Sequence, residues 1–204
     1  ILYILSSSCN FLCIFALNNS ALLLPASHAG DEQFDLFLLL LKEGEQDQQG
    51  DAEALPYPDA SFDVVLSQYG HMFAPRPEVV VAEMLRVLKL GGHIAFSTWP
   101  PELFIGRMFN LVGQYLPPPP GVAPVSLWGD PNIIRERLGD RVADLSFERE
   151  AIYIPALSPQ HVRNSFENTA APVVKLVQTL KDDTARLARF RSDLEALIST
   201  FTKN

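Results

Sequence analysis

Apolar residues follow two rhythms along the middle of the chain. From Phe62 to Ser67 they run almost unbroken (FDVVLS), as in a short strand buried on both faces. His93 to Thr98 (HIAFST) reads as a second strand. Between them, Val80, Met84, Val87 and Leu88 recur at helical spacing and predict one amphipathic stripe. Pro77 suits the first helical turn, where its missing N–H costs nothing. Glu78 near the start and Lys89 near the end complement the helix dipole. Gly91 or Gly92 then supplies a left-handed stop. Strand, helix and strand in this order predict one unit of an open parallel α/β sheet.

The helical rhythm continues beyond residue 100. Phe104, Met108, Leu111, Val112 and Tyr115 make one apolar helix face, and Pro117 to Pro120 form a stiff extended connector. Asp130 is the expected N-cap of a helix whose first residue is Pro131 and whose end lies near Gly139. Residues 142–157 read as strand, with Leu145, Phe147, Ile152 and Ile154 as candidate buried positions. Ser158-Pro159 opens another helix. Leu187, Phe190, Leu194, Leu197, Ile198 and Phe201 stripe the last one.

The first 49 residues do not join this pattern. The chain begins with Ile1 rather than Met, which reads as a fragment or an incomplete gene product. Residues 1–30 are apolar and rich in Ser and Asn. Ser27-His28-Ala29 imitates a signal-peptidase site, but no basic segment precedes it. The longest unbroken apolar run, Phe11 to Leu17, falls far short of the ~20 residues that span a bilayer. Three readings stand: a non-homologous leader, a truncated targeting peptide, or a buried element. Phe34 to Leu41 (FDLFLLLL) suits a buried strand or a helix turn, and Lys42 to Gln49 suits a loop. The expected division is an atypical segment 1–49, an α/β domain 50–157 and a helical cap 158–204.

A length of 204 residues suits one domain with a sizeable core. The net charge of −8 argues against a nucleic-acid platform, which needs a basic surface. Cys9 and Cys13 are the only cysteines, so a disulfide framework is excluded and a reducing cytoplasm is the expected location. A leader-directed location is the alternative. The two cysteines lack neighbouring His or Cys ligands, so no metal site is expected.

Candidate chemistry gathers between Gly50 and His71. Gly50-Asp51-Ala52 opens a loop in which Pro56 and Pro58 impose an extended path. Asp59-Ala60-Ser61 turns the chain into the first strand, where Asp63 reads as an ordinary polar start. Ser67, Gln68, Tyr69 and Gly70 lie at that strand's carboxyl end, the edge where open α/β sheets bind ligands. His71 follows and is the best-placed candidate base, weighed against a half-exposed loop histidine. Phe73 is read as packing.

The run GDAEALPYPDASFDVVLSQYGHMF, with the helix and Gly-Gly turn after it, resembles the second half of a class I S-adenosylmethionine (SAM)-dependent methyltransferase of the small-molecule "type 11" branch. Leu90 stands where that family usually has proline before its glycine pair. The resemblance implies a Rossmann-like sheet, incomplete on its N-terminal side, with C-terminal helices. It also implies a pair of final strands within residues 142–157. It implies SAM as cofactor, with Asp51 accepting from the adenine amine and the Ala52 N–H donating to a ring nitrogen. Ser67 and Gln68 would flank the cofactor, while Tyr69, Trp99 and Trp128 would face a small or lipid-like acceptor. Packing is the competing role for both tryptophans.

The family's glycine-rich cofactor loop has no counterpart here, since the chain contains no Gly-x-Gly. Without the strands that precede it, the Phe62 strand is expected to be an unprotected sheet edge. Two functions therefore compete: a methyltransferase, active or impaired, and a non-catalytic methyltransferase fragment or protein-interaction half-domain. The oligomeric state is left open.

Overall fold

A computed structural model describes the backbone of Ile14–Leu17 and residues 51–202. The leader readings, both cysteines, the Phe34–Leu41 run and the loop at 42–49 lie outside the described residues. The chain divides into two compact units, one ending at Ser97 and the other beginning at Thr98.

The first unit holds a three-stranded sheet in the order β1 (Ile14–Leu17), β2 (Phe62–Gln68), β3 (Leu88–Ser97). β2 and β3 are parallel and joined by helix α1 (Pro77–Val87). This is the expected strand–helix–strand unit. β2 is not an edge, however: β1 pairs antiparallel along it, from Ile14 opposite Ser67 to Leu17 opposite Val64. The apolar run from Phe11 thus contributes a strand that lacks its own sequence signature. Phe62, Val65, Val80, Met84 and Val87 close the core, together with Ala52.

The end of α1 corrects the sequence expectation. The helix stops at Val87, ahead of the glycine pair, because Leu88 already pairs with Phe62 as the first residue of β3. Lys89 lies in the strand, where its ammonium meets the Asp63 carboxylate at 2.9 Å. The glycines serve a bulge between the Phe62 and Val64 pairings. Gly91 takes φ +77°, and a Cβ on Gly92 would stand 2.7 Å from the Asp63 carbonyl oxygen.

The second unit is helical: α2 (Phe104–Tyr115), α3 (Pro131–Leu138), α4 (Pro159–Thr169), α5 (Ala171–Thr179) and α6 (Thr184–Phe201). Local cap chemistry sets the starts. The Asp130 carboxylate accepts from Asn132 N–H and the Ser158 hydroxyl from His161 N–H, each just before a proline. Met108, Val112, Val173, Leu176, Phe190 and Leu194 belong to one core shared by α2, α5 and α6. α5 was not separable by pattern, because its stripe follows α4 after a single intervening residue, Ala170.

Residues 142–157 form no strand, against expectation. Leu145, Phe147, Ile152 and Ile154 are exposed rather than buried. A strand exists only with a ladder partner, and among the described residues none lies beside this stretch. No helix among the described residues is long and apolar enough to cross a membrane.

Candidate functional site

The site is built at the carboxyl edge of β2. After Gln68 the chain turns sharply: Tyr69 takes a left-handed conformation, φ +60°, unusual for a bulky residue. Gly70–Phe73 then form one 3-10 turn leading to α1. Strained backbone of this kind at a strand end is a common feature of binding sites.

The turn folds His71 back beneath the strand. Its ring is wholly buried, with Nδ1 2.8 Å from the Ser67 hydroxyl oxygen and its centroid 4.8 Å from that of Phe96 on β3. The half-exposed loop histidine expected as the alternative is therefore corrected to a buried one. Ser67 is also buried, whereas Gln68 is exposed and Tyr69 half-buried. Burial pushes the Tyr69 phenol above its ordinary pKa. At neutral pH it keeps its proton.

The acidic loop reaches the same edge by running along α1. At the far end of the helix, Ala60 and Ser61 N–H groups donate to the carbonyls of Arg86 and Val87 at 2.8 Å. Arg86 donates to the Leu55 and Tyr57 carbonyls and pairs with Asp59 and Glu83. These acids raise its guanidinium further above its usual value, Glu83 most strongly. Arg86 in turn holds the Glu83 carboxyl below its usual value. Glu83 also accepts from Leu55 N–H at 2.7 Å. At the start of α1, Glu53 accepts from the Arg76 backbone N–H and Nε, both at 2.7 Å, and from Nη2 at 2.6 Å. The loop is thereby stretched from one helix end to the other, with Asp51 and Ala52 at the end nearest Gln68–His71.

Asp51 is exposed, and one of its carboxylate oxygens accepts from Glu53 N–H at 2.9 Å. Ala52 buries its methyl in the core, which fixes the backbone beside it. An exposed carboxylate next to a fixed backbone amide fits the donor–acceptor edge of an adenine. The Arg76–Glu53 pair that holds this loop is one that sequence reading misses. Its members lie 23 positions apart, and neither belongs to an apolar pattern.

Trp99 and Trp128 belong to the second unit. Trp99 is half-buried. Trp128 is fully buried, with the Arg137 guanidinium 4.3 Å from its ring centroid. Ser67 and His71 are in contact at the end of β2, while the Asp51 loop is bonded through Glu53 to Arg76 at the start of α1.

The family model described as "Methyltransferase domain" matches residues 31–96. An uncharacterized protein of Mycobacterium tuberculosis is 30% identical over 152 residues, covering 74% of this chain and 56% of the relative. The demethylmenaquinone methyltransferase of Deinococcus radiodurans is 40% identical over 73 residues, 35% of this chain and 30% of that protein. A Mycobacterium ulcerans protein named "Probable phthiotriol/phenolphthiotriol dimycocerosates methyltransferase 2" is 49% identical over 49 residues, 24% of this chain and 19% of its own. The chain thus spans little more than half the length of the mycobacterial relative. No solved structure matches it. Through residues 31–96, which hold β2, α1 and all of β3 but its last residue, the chain is class I methyltransferase-like.

Proposed function

We propose that this chain belongs to a SAM-dependent methyltransferase acting on a small or lipid-like acceptor. The observation that carries the reading is that Glu53, next to the Asp51–Ala52 pair, is bonded to Arg76 at the start of α1, the helix that follows the Ser67–His71 turn. Two of the relatives are named as methyltransferases of demethylmenaquinone and of phthiotriol/phenolphthiotriol dimycocerosates, which supports a small or lipid-like acceptor. SAM would supply a methyl group already activated by a sulfonium charge. The protein's task is then to hold donor and acceptor in line.

In this reading Asp51 and Ala52 hold the adenine, and Ser67 and Gln68 border the donor. Tyr69 meets the acceptor as a hydrogen-bond donor. The burial of Trp128 supports its packing role. His71 is the candidate base, and the group it touches is the Ser67 hydroxyl. If it serves as base, His71→Ala removes one limb of the pH–rate profile. An unaltered profile reduces it to packing.

Calorimetric titration with S-adenosylhomocysteine tests the reading. Saturable one-site binding, weakened about tenfold by Asp51→Ala, is expected. Absence of binding by the folded chain would favour the non-catalytic half-domain.

A further inference from the structure

We propose that Arg76 is a positioning residue for the cofactor loop: through Glu53 it holds residues 51–54 against the start of α1, with Asp51 turned to the sheet's carboxyl edge. The proposal rests on the cofactor reading given above. Its basis is a long-range contact with an uneven distribution of exposure. The Glu53 side chain is 6% exposed, although it is a carboxylate in a loop, whereas the Arg76 side chain is 63% exposed. A carboxylate withdrawn from water needs compensating donors, and Glu53 has three from one residue: Arg76 N–H, Nε and Nη2. Nε and Nη2 close on one carboxylate oxygen and the backbone N–H on the other, so both oxygens are held and the carboxylate's direction is fixed.

The division of labour with Arg86 separates positioning from folding. From Leu55 to Ser61 the loop is already held by Glu83, Arg86 and the carbonyls at the end of α1. The Glu53–Arg76 pair acts on the stretch ahead of that anchor. Glu53 N–H donates to the Asp51 carboxylate, and Ala54 N–H donates to the Asp51 carbonyl at 3.0 Å. Moving Glu53 therefore turns Asp51. Arg76 also stands three residues after the end of the Gly70–Phe73 turn, so the ion pair links the Asp51 loop to the chain that leaves that turn. Asp51 lies close enough to raise the Arg76 guanidinium, a smaller effect than that of Glu53.

The test compares the full chain with Arg76→Ala and Arg76→Lys by amide hydrogen exchange, S-adenosylhomocysteine calorimetry and thermal melting. Arg76→Ala should speed exchange at Glu53 and Ala54 about tenfold, leave Leu55 unchanged, and weaken binding about tenfold. The melting temperature should fall modestly, because Glu53 loses two side-chain donors but keeps the backbone N–H of residue 76. Lysine keeps the charge without the fork and should restore part of the affinity. Unchanged exchange at Glu53 and Ala54 would overturn the proposal. So would faster exchange with unaltered affinity. If the unmodified chain does not bind S-adenosylhomocysteine, the cofactor reading fails, and the exchange rates alone decide whether Arg76 holds the loop.

Discussion

Gly106 and Gly113 stand two turns apart on α2 and answer to opposite constraints. A Cβ on Gly106 would lie 2.2 Å from the Pro100 carbonyl oxygen and 2.6 Å from Pro101 Cα, both backbone atoms that cannot step aside. Gly113 faces open space. Gly106→Ala should therefore destabilise by about 1–3 kcal/mol through overpacking. Gly113→Ala should stabilise by about 0.5–1 kcal/mol, since alanine loses less backbone entropy in a helix. Urea midpoints of the two variants check the signs. Equal shifts would mean that the proline backbone yields to the new methyl. Ser67 poses a related question at the site. Its hydroxyl is the group against the buried His71 ring, so Ser67→Ala should cost about 1–3 kcal/mol even without substrate. A loss of activity in that variant with an unaltered melt would instead mark the hydroxyl as chemical. Neither the burial of His71 nor the role of Glu53 is legible in the sequence. Both arise from contacts that a polar residue gains only after the sheet edge has formed.

At the scale of elements, helix starts are legible and strand partnerships are not. Pro77, Asp130-Pro131 and Ser158-Pro159 act through their own few neighbours, so their sequence reading and their structure agree. The end of α1 and the stretch 142–157 depend on what lies across a ladder, which no local pattern records. Residues 152–154 are all exposed, Tyr153 by 74%, and Leu157 reaches 90%. Exposed backbone with no ladder bonds is preferred by proteases. Limited chymotrypsin digestion should therefore cut at Tyr153 before any helix is lost. First cleavage within α4 or α6 would show the stretch to be covered. Those two helices carry their own lock. Arg163, itself buried, pairs with Glu167 at 2.5 Å and Glu195 at 2.6 Å, and Arg191 closes on Glu167 at 2.7 Å. Burial alone would raise the Glu167 carboxyl, but hydrogen bonds from Arg191 and Arg163 outweigh it and hold the group below its usual value. A lowered folded pKa gives stability that is complete above the unfolded value of about 4.3 and is lost as acid protonates the folded carboxylate. Glu167→Gln should thus lower the urea midpoint at neutral pH and flatten its fall below about pH 4. Parallel acid limbs in the two proteins would exclude Glu167 as their source.

Across the whole molecule, the two cores share no residue: one is drawn from Ala52 to Val87, the other from Met108 to Ile198. The parallel unit is legible because FDVVLS is a short, nearly unbroken apolar run and the α1 stripe keeps a helical period. The antiparallel β1 is not, because its partner register is set by β2 rather than by its own four residues. Separate cores make a prediction that chance has made easy to read. Both tryptophans, Trp99 and Trp128, lie in the second unit, so their fluorescence reports on that unit alone. The proposed cofactor residues Asp51 to Gln68 lie in the first. A ligand that binds only the folded first unit stabilises that unit by mass action. Added S-adenosylhomocysteine should therefore raise the denaturation midpoint of slow-exchanging β2 amides more than the midpoint seen by tryptophan emission. Coincident midpoints, shifted equally, would show that the units unfold as one cooperative body.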